Sequence, residues 1–239
     1  MTGPVPRTRE EELLLARISA AAGRARLGRR LSSRTSTAYR PRTRAGLYWA
    51  VRRLSVRSHH GRSPVRTASP NARLDLYEHG MTVAVRGRIH VVRYDTTSVF
   101  RHSTAPRGSS PSGTTHIHTL TDVEQKRLVL CDEPEGGDAQ AWARLVRQAV
   151  TRARLPSALA ALHRGERISF GDIWLTTELV GSTRVSLPWP HVQRIGVVEG
   201  FLTVTADGRQ HRLGPTVSRI PNVFVFRALV EHCRSGKAR

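Results

Sequence analysis

Short runs of alternating apolar and polar residues fill the chain between residues 183 and 213. A period of two predicts β-strands with one buried face. The runs cover residues 185–189, 192–198, 201–205 and 209–213. The turn pair Glu199-Gly200 and the dipeptide Asp207-Gly208 separate the last three runs, and Asp207-Gly208 is best suited to the positive φ angles of a two-residue hairpin. The pattern therefore predicts an antiparallel meander.

After this meander the apolar period becomes that of a helix. Asn222 is a residue type that caps helices, and an apolar face follows it, made of Val223, Phe226, Leu229, Val230 and Cys233. The C-terminal region is thus predicted to be a half-open antiparallel sheet closed by one terminal helix.

The same order of elements is predicted earlier in the chain. From Arg73 to Cys131 alternating runs again indicate strands, with a polar insert at 103–115 that predicts a loop. A helix is expected to start at Asp138 and to end at Pro156, before a shorter helix over 157–163. The apolar face of the longer helix consists of Trp142, Leu145, Val146, Ala149, Val150 and Ala153.

A spacing pattern also recurs between these two regions. The pattern has four residues. An aliphatic residue comes first, an aromatic residue follows two positions after it, and the third and fourth residues follow five and eight positions after it. The two copies are Val92, Tyr94, Thr97, Phe100 and Leu187, Trp189, Val192, Ile195. With strands followed by a helix at about 73–154 and again at about 166–234, the pattern predicts a tandem duplication.

Residues 73–234 resemble an uncharacterised bacterial family of tandem pleckstrin-homology-like (PH-like) domains. The matching phrases are RLDLYEHGM, ALHRGERISFG, LPWPHVQRIGVVEGFLTV and IPNVFVFRALVEH. The resemblance implies an α+β, mainly β fold with two PH-like units, each a bent antiparallel sheet capped by a C-terminal helix. It implies no activity. The basic signature of phosphoinositide-binding PH domains is missing, since Gly171-Asp172 and Glu78-His79-Gly80 stand in the corresponding regions.

The first 70 residues differ from the rest in charge and composition. They carry 16 arginines and 3 glutamates. Thr8 and Glu11 match a capping box for a helix whose narrow apolar stripe (Leu14, Ile18, Ala21, Ala25) suits packing on a partner, and Gly28 can end it. A second short helix is predicted over 45–54, and residues 31–43 and 55–70 are expected to be disordered. The predicted organisation is a basic arm (1–70), a first PH-like domain with a linker helix (71–165) and a second (166–234).

Composition narrows the class of protein. The formal net charge is +21, and only Lys126 and Lys237 of the 39 basic residues are lysines. Such a charge favours contact with nucleic acid, anionic lipid or acidic proteins. The isolated Cys131 and Cys233 predict no disulfide framework, which favours a cytoplasmic location. No run approaches the roughly 18 apolar residues that span a bilayer, and Arg17 interrupts the apolar run needed for a secretory signal.

Few residues suggest chemistry. His116 and His118 lie two apart on a predicted strand, so they share a face, and His90 and His102 are candidate third ligands. No Cys, Asp or Glu stands at ligand spacing, so no metal site is predicted. No nucleophile elbow or dinucleotide-binding fingerprint is present. We expect no enzyme activity, no catalytic residue and no cofactor.

The sequence therefore favours a non-enzymatic PH-like adaptor that binds protein partners, an anionic membrane surface, or both. Strand addition is expected at a sheet edge or in the groove between the last strand and the helix. The arm has three readings. It is a solvated tail, a membrane attachment in which Tyr48 and Trp49 act as interfacial anchors at the inner membrane face, or a nonspecific nucleic-acid binder, the alternative function.

Overall fold

The computed structural model describes residues 8–39, 69–104, 115–132 and 139–235. Helix α1 (Arg9–Arg24) precedes a unit of seven strands and a second helix. These elements are β1 (Arg30–Tyr39), β2 (Ser69–Tyr77), β3 (Gly80–Val85), β4 (Arg88–Arg93), β5 (Val99–Thr104), β6 (Thr115–Thr121), β7 (Arg127–Asp132) and α2 (Ala139–His163). The strands form one antiparallel sheet in the order β4-β3-β2-β1-β7-β6-β5.

The second unit also contains seven strands and a helix. Its first sheet, in the order β11-β10-β9-β8, holds β8 (Ile168–Phe170), β9 (Ile173–Leu175), β10 (Leu179–Ser182) and β11 (Ser186–Pro188). Its second sheet, in the order β12-β13-β14, holds β12 (Val192–Val198), β13 (Phe201–Ala206) and β14 (Arg209–Thr216). Helix α3 (Val223–Ser235) follows. The three sheets are antiparallel, which confirms the predicted α+β, mainly β class.

The repeated order of elements extends to the recurring spacing pattern. Tyr94 directly follows the fourth strand of its unit and is 2% exposed, while Trp189 directly follows the fourth strand of the other and is 5% exposed. Thr97 and Val192, three residues further on, are also buried. Phe100 and Ile195, the last members, are both half-buried. The first members differ, since Val92 is fully buried and Leu187 is half-buried. The last three positions of the pattern therefore have equivalent burial in the two units.

One apolar core runs through both units. It joins sheet residues of the first unit to sheet and α3 residues of the second, with α2 contributing Trp142, Val146, Val150 and Leu162. Trp142, Trp174 and Trp189 are all buried. Cys131 is buried and Cys233 is half-buried.

The predicted N-terminal helix is confirmed together with its capping box. The Glu11 amide donates to the Thr8 hydroxyl at 3.3 Å, and the Thr8 amide donates to the Glu11 carboxylate at 3.1 Å. Ile18, Ala21 and Ala22 are buried, because the helix packs on β3 and β4. The apolar stripe that was expected to contact a partner thus contacts the chain's own sheet.

The prediction of disorder over residues 31–43 is wrong for its described part, which is strand β1. Its composition of Arg, Ser and Thr hid the strand, because β1 is stabilised by pairing with distant segments rather than by its own apolar residues. Arg30 lies opposite Tyr77 of β2, and Ala38 lies opposite Leu130 of β7. The Ser36 hydroxyl donates to the Cys131 carbonyl at 3.0 Å. The ordered first sheet therefore begins well before Arg73.

The expected break at Pro156 is also wrong, since α2 continues through this residue to His163. An internal proline costs a helix about 3 kcal/mol. Burial on both sides offsets that cost: Val150 lies before the proline and Leu162 after it, and both pack in the common core. The Ser157 hydroxyl also donates to the Arg154 carbonyl at 3.0 Å. The predicted helix over 45–54 and most of the loop at 103–115 lie outside the described residues.

Candidate functional site

Strand β12 forms a sheet edge beside helix α3. This strand lies at the end of the three-stranded sheet β12-β13-β14, and no other strand in the described ranges pairs with its outer side. Strand β12 leads into a two-residue turn, Glu199 and Gly200, whose φ angles of 49° and 78° define a type I′ hairpin. The turn fixes the register of β12 against β13.

That register determines which backbone groups face the open edge. Val198 and Phe201 flank the turn, so they form a hydrogen-bonded pair, and bonded and non-bonded pairs alternate along an antiparallel ladder. Val197 and Ile195 therefore occupy the non-bonded positions opposite Leu202 and Val204. Their N–H and C=O groups point away from β13, toward the free side. The edge thus presents two sets of backbone donors and acceptors.

Helix α3 forms the opposite wall of a groove along this edge. The groove has a volume of about 700 Å³, and its walls combine apolar and charged residues: Ile195, Gly196, Leu202, Arg227, Val230, Glu231 and Arg234. We call it the β12 groove. One end is closed by the Arg234 guanidinium, which donates to the Gln193 carbonyl at 3.0 Å. Strand addition was expected at a sheet edge or in the groove between the last strand and the helix; this groove lies at a sheet edge, that of β12, the fifth strand of its unit.

Apolar side chains remain exposed at the same edge. Val197 is 42% exposed and Val198 is 43% exposed. An open strand edge with exposed β-branched residues is a liability that proteins ordinarily cover or blunt with charge. The β12 edge therefore has the character of a surface that a partner covers.

The corresponding edge in the first unit, that of β5, is covered by the chain itself at its first residue, Val99. The Val99 amide donates to the Asn222 side-chain oxygen at 2.9 Å, and the Asn222 amide donates to the Val99 carbonyl at 2.9 Å. The Asn222 side-chain nitrogen also donates to the Thr97 carbonyl at 3.0 Å. Asn222 is 2% exposed and has a φ angle of 49°, which asparagine tolerates better than most residues.

These contacts refine the predicted role of Asn222 as a helix cap. It does precede α3, and its carbonyl accepts from the Val225 and Phe226 amides at 2.8 and 3.3 Å. Its side chain, however, bonds to Thr97 and Val99 in the first unit. The residue therefore begins the helix through its backbone and joins the two units through its amide group.

A second groove adjoins this junction, between β5, α2 and the start of α3. It has a volume of about 650 Å³, and five arginines line it: Arg101, Arg144, Arg147, Arg152 and Arg227. Val99, Val223 and Phe224 contribute apolar surface. We call it the arginine groove. Of these side chains Arg227 also lines the β12 groove, so the two grooves meet at that residue.

The arginine groove is strongly positive because its charges are not neutralised nearby. Within the described ranges, no carboxylate forms an ion pair with Arg144, Arg147, Arg152 or Arg227. Arg144, Arg147 and Arg152 follow helical spacing on α2, so they lie along one side of that helix. Such an array attracts anionic groups.

The histidines considered for a metal site have other neighbours. The His90 ring nitrogen Nδ1 lies 2.9 Å from the Asp122 carboxylate, and both residues are buried. The His118 ring packs edge-on against Trp142 with ring centroids 5.3 Å apart. Burial, and to a lesser degree His118, lowers the pKa of His102 from its ordinary value of 6.5. No group of three metal-ligating side chains occurs among the residues that the structure describes.

A comparison with protein families matches residues 46–239 to the profile of a family of unknown function, DUF6585. The chain belongs to this family. The DUF6585 match includes both grooves and excludes α1 and β1. A search of curated protein sequences finds no significant match. None of the described helices is both long enough and apolar enough to cross a lipid bilayer.

Sequence reasoning identified some parts of the candidate site and missed others. The hairpin at Glu199-Gly200 and the apolar face of α3 are local patterns, and both were predicted. The free side of β12 and the role of Asn222 depend on contacts between distant segments, so no local pattern reveals them. The spacing of Arg144, Arg147 and Arg152 on a predicted helix is the one signal that would have indicated the arginine groove.

Proposed function

We propose that this protein is a non-enzymatic binding module that takes an extended peptide of a protein partner along β12. The observation that carries this proposal is the open edge of β12 beside α3. A peptide strand added there pairs its backbone with Ile195 and Val197, and its side chains contact Val197, Val198 and Val230. Each backbone hydrogen bond adds about 0.5–1.5 kcal/mol net.

The order of elements supports a PH-like fold for each unit. A PH-like unit has seven strands and a C-terminal helix, and this count occurs twice here. PH-like folds commonly accept peptides at a sheet edge by strand addition. The β12 groove offers that geometry, with a helix wall that gives side chains of the peptide a surface to contact.

The charge around the β12 groove favours an acidic partner. Arg227 and Arg234 line it with a single acidic residue, Glu231. Attachment to an anionic membrane and nucleic-acid binding by the arm remain predictions, because residues 40–68, including Tyr48 and Trp49, lie outside the described residues.

The proposal is tested by selecting binders from a displayed library of random peptides against the full chain. Val197→Pro removes the backbone N–H of Val197, which faces the open edge. Proline is tolerated on an edge strand where the N–H points away from the sheet. Val197→Thr is the matched control, since it keeps the N–H and nearly the same volume. We expect Val197→Pro to weaken selected peptides about tenfold or more, or about 1.4 kcal/mol, while Val197→Thr binds like the wild type.

Thermal melting of both variants checks that the second unit remains folded. Selected peptides that bind wild type and Val197→Pro with equal affinity would contradict strand addition at β12. A chain that selects no peptide, yet sediments with anionic vesicles or binds oligonucleotides, would favour the other two predicted partners.

A further inference from the structure

The arginine groove has no role in strand addition, although it adjoins the β12 groove. Five like charges in one groove repel each other unless an anion offsets them. We infer that the arginine groove binds an acidic segment of the same peptide whose apolar segment pairs with β12. This inference rests on the proposed function and names the composition of the partner.

Helix α3 connects the two grooves. Val223 and Phe224, at its first turn, line the arginine groove, and Val230 and Arg234, further along, line the β12 groove. Arg227 lies between them and lines both. One extended chain lying along α3 therefore reaches both grooves without leaving the surface.

The dimensions set the length of such a peptide. The distance along α3 from Val223 to Arg234 is about 16 Å at 1.5 Å per residue. An extended chain covers that distance with about five residues at 3.3 Å each. Because β12 runs beside α3, a partner strand for its seven residues already covers this distance, and a few further residues reach the arginine groove.

The packing of α3 against β12 also sets the direction in which the peptide runs. Arg234 bonds to the Gln193 carbonyl, which places the end of α3 at the start of β12. The Val217 amide donates to the Gly200 carbonyl at 2.8 Å, which places the segment before α3 beside the β12–β13 turn. The end of β12 therefore points toward the arginine groove. Antiparallel pairing, the more stable kind, puts the N-terminal part of the peptide there, so acidic residues precede apolar ones.

Nucleic acid fits the arginine groove less well than an acidic peptide. Binding of single strands relies on aromatic side chains that stack on bases. Among the residues that line this groove, Phe224 is the single aromatic, and it is half-buried. Carboxylates need only the guanidinium donors, which bind them in a planar, two-pronged geometry.

The first experiment measures fluorescence anisotropy of labelled hexaglutamate with the full chain at low ionic strength, with hexaserine as the uncharged probe. The test variant is Arg144→Gln with Arg147→Gln. The control is Arg184→Gln with Arg209→Gln, which removes the same charge from two exposed positions of the second unit. We expect hexaglutamate affinity to fall about tenfold in the test variant and to change little in the control.

Equal losses in the two double variants would overturn the inference, because they would show that only net charge matters. A six-residue oligothymidine that binds more tightly than hexaglutamate and depends on Arg144 and Arg147 would also overturn it, in favour of nucleic acid. Val197→Pro should leave hexaglutamate binding unchanged, since the probe does not pair with β12.

The second experiment joins the two probes. Three versions of one peptide selected from the library are compared. The first has a glutamate block at its N-terminus, the second has a glutamate block at its C-terminus, and the third has a serine block at its N-terminus. The N-terminal glutamate block should raise affinity about tenfold over serine by linked binding, and the gain should vanish in Arg144→Gln with Arg147→Gln. A gain that is equal at both termini would contradict the assigned direction.

A failure of the proposed function gives a different result from a failure of this inference. If Val197→Pro binds the selected peptides normally while hexaglutamate still requires the groove arginines, strand addition is wrong and the arginine groove is an independent anion site. If Val197→Pro abolishes peptide binding while the glutamate block adds nothing, strand addition stands and this inference is wrong.

Discussion

Strands β5 and β12 occupy the same place in their units, yet their outer edges have different neighbours. The β5 edge is covered at Val99 by Asn222, whose amide group and backbone supply the bonds that a neighbouring strand would make. Along the β12 edge, which lines a groove beside α3, no described strand is paired. The fifth-strand edge of the first unit thus helps to join the units at Val99, whereas that of the second unit has no strand beside it in the described ranges.

Because of this difference, substitutions at the two edges should change different quantities. Contacts at β5 are satisfied within the chain, so changes there should act on the free energy of unfolding. The outward backbone groups of Ile195 and Val197 pair with no described strand, so changes there should act on the affinity for a partner. The aromatic residues that precede the two strands, Tyr94 and Trp189, belong to the core in both copies.

The largest expected effect is at Trp189. Its indole is buried, and its N–H donates to the Thr176 carbonyl at 2.9 Å. Trp189→Ala should lower the free energy of unfolding by about 3–5 kcal/mol, measured by urea denaturation. Trp189→Phe is the control, since it keeps most of the apolar volume and should cost less. An unchanged melting temperature for Trp189→Ala would show that the corner before β12 does not depend on this side chain.

The next effect concerns the residue that covers β5. Asn222→Gly keeps the positive φ angle and removes the side chain that bonds to the Val99 amide and the Thr97 carbonyl. The Thr97 carbonyl keeps its bond from the Arg154 guanidinium at 3.1 Å, so the Val99 amide is the group that loses its partner. One buried group without a partner should cost about 1–3 kcal/mol, seen in denaturation. Hydrogen exchange of the Val99 amide should accelerate at the same time. Exchange at Val99 that is as slow in the variant as in the wild type would mean that another group covers this edge.

These two residues illustrate what the sequence reveals and what it does not. The meander around Trp189 was predictable because its strand period and turn dipeptides are local. Strand β1 was not, because its stability comes from pairing with segments far along the chain, as at Arg30 and Tyr77. Asn222 was predicted as a cap from its type, but its contact with Val99 spans 123 positions. The openness of the β12 edge is equally a property of the assembled sheets.

A smaller effect distinguishes the two strands by pH. His102 on β5 has a pKa below 6.5, chiefly because burial disfavours the charged ring. The His102 ring therefore takes up a proton more readily in the unfolded chain than in the folded chain. Its contribution to stability is complete above the ordinary pKa and is lost as pH falls from about 6.5 toward the lowered pKa. Strand β12 has no buried titratable side chain.

Melting temperatures across this pH range test the effect. His102→Gln should flatten the pH dependence of the wild type, whereas Val197→Thr on β12 should leave it unchanged. A His102→Gln variant that loses stability over the same interval as the wild type would assign the proton uptake to another group.

The most direct test of the open edge is amide hydrogen exchange at Val197, Ile195 and Val99, measured by NMR with and without a peptide selected from the library. Without peptide, Val99 should exchange slowly, since its amide is bonded to Asn222, while Val197 and Ile195 should exchange rapidly. Addition of peptide should protect Val197 and Ile195 and leave Val99 unchanged. Rapid exchange at Val197 and Ile195 in the saturated complex would contradict strand addition at β12.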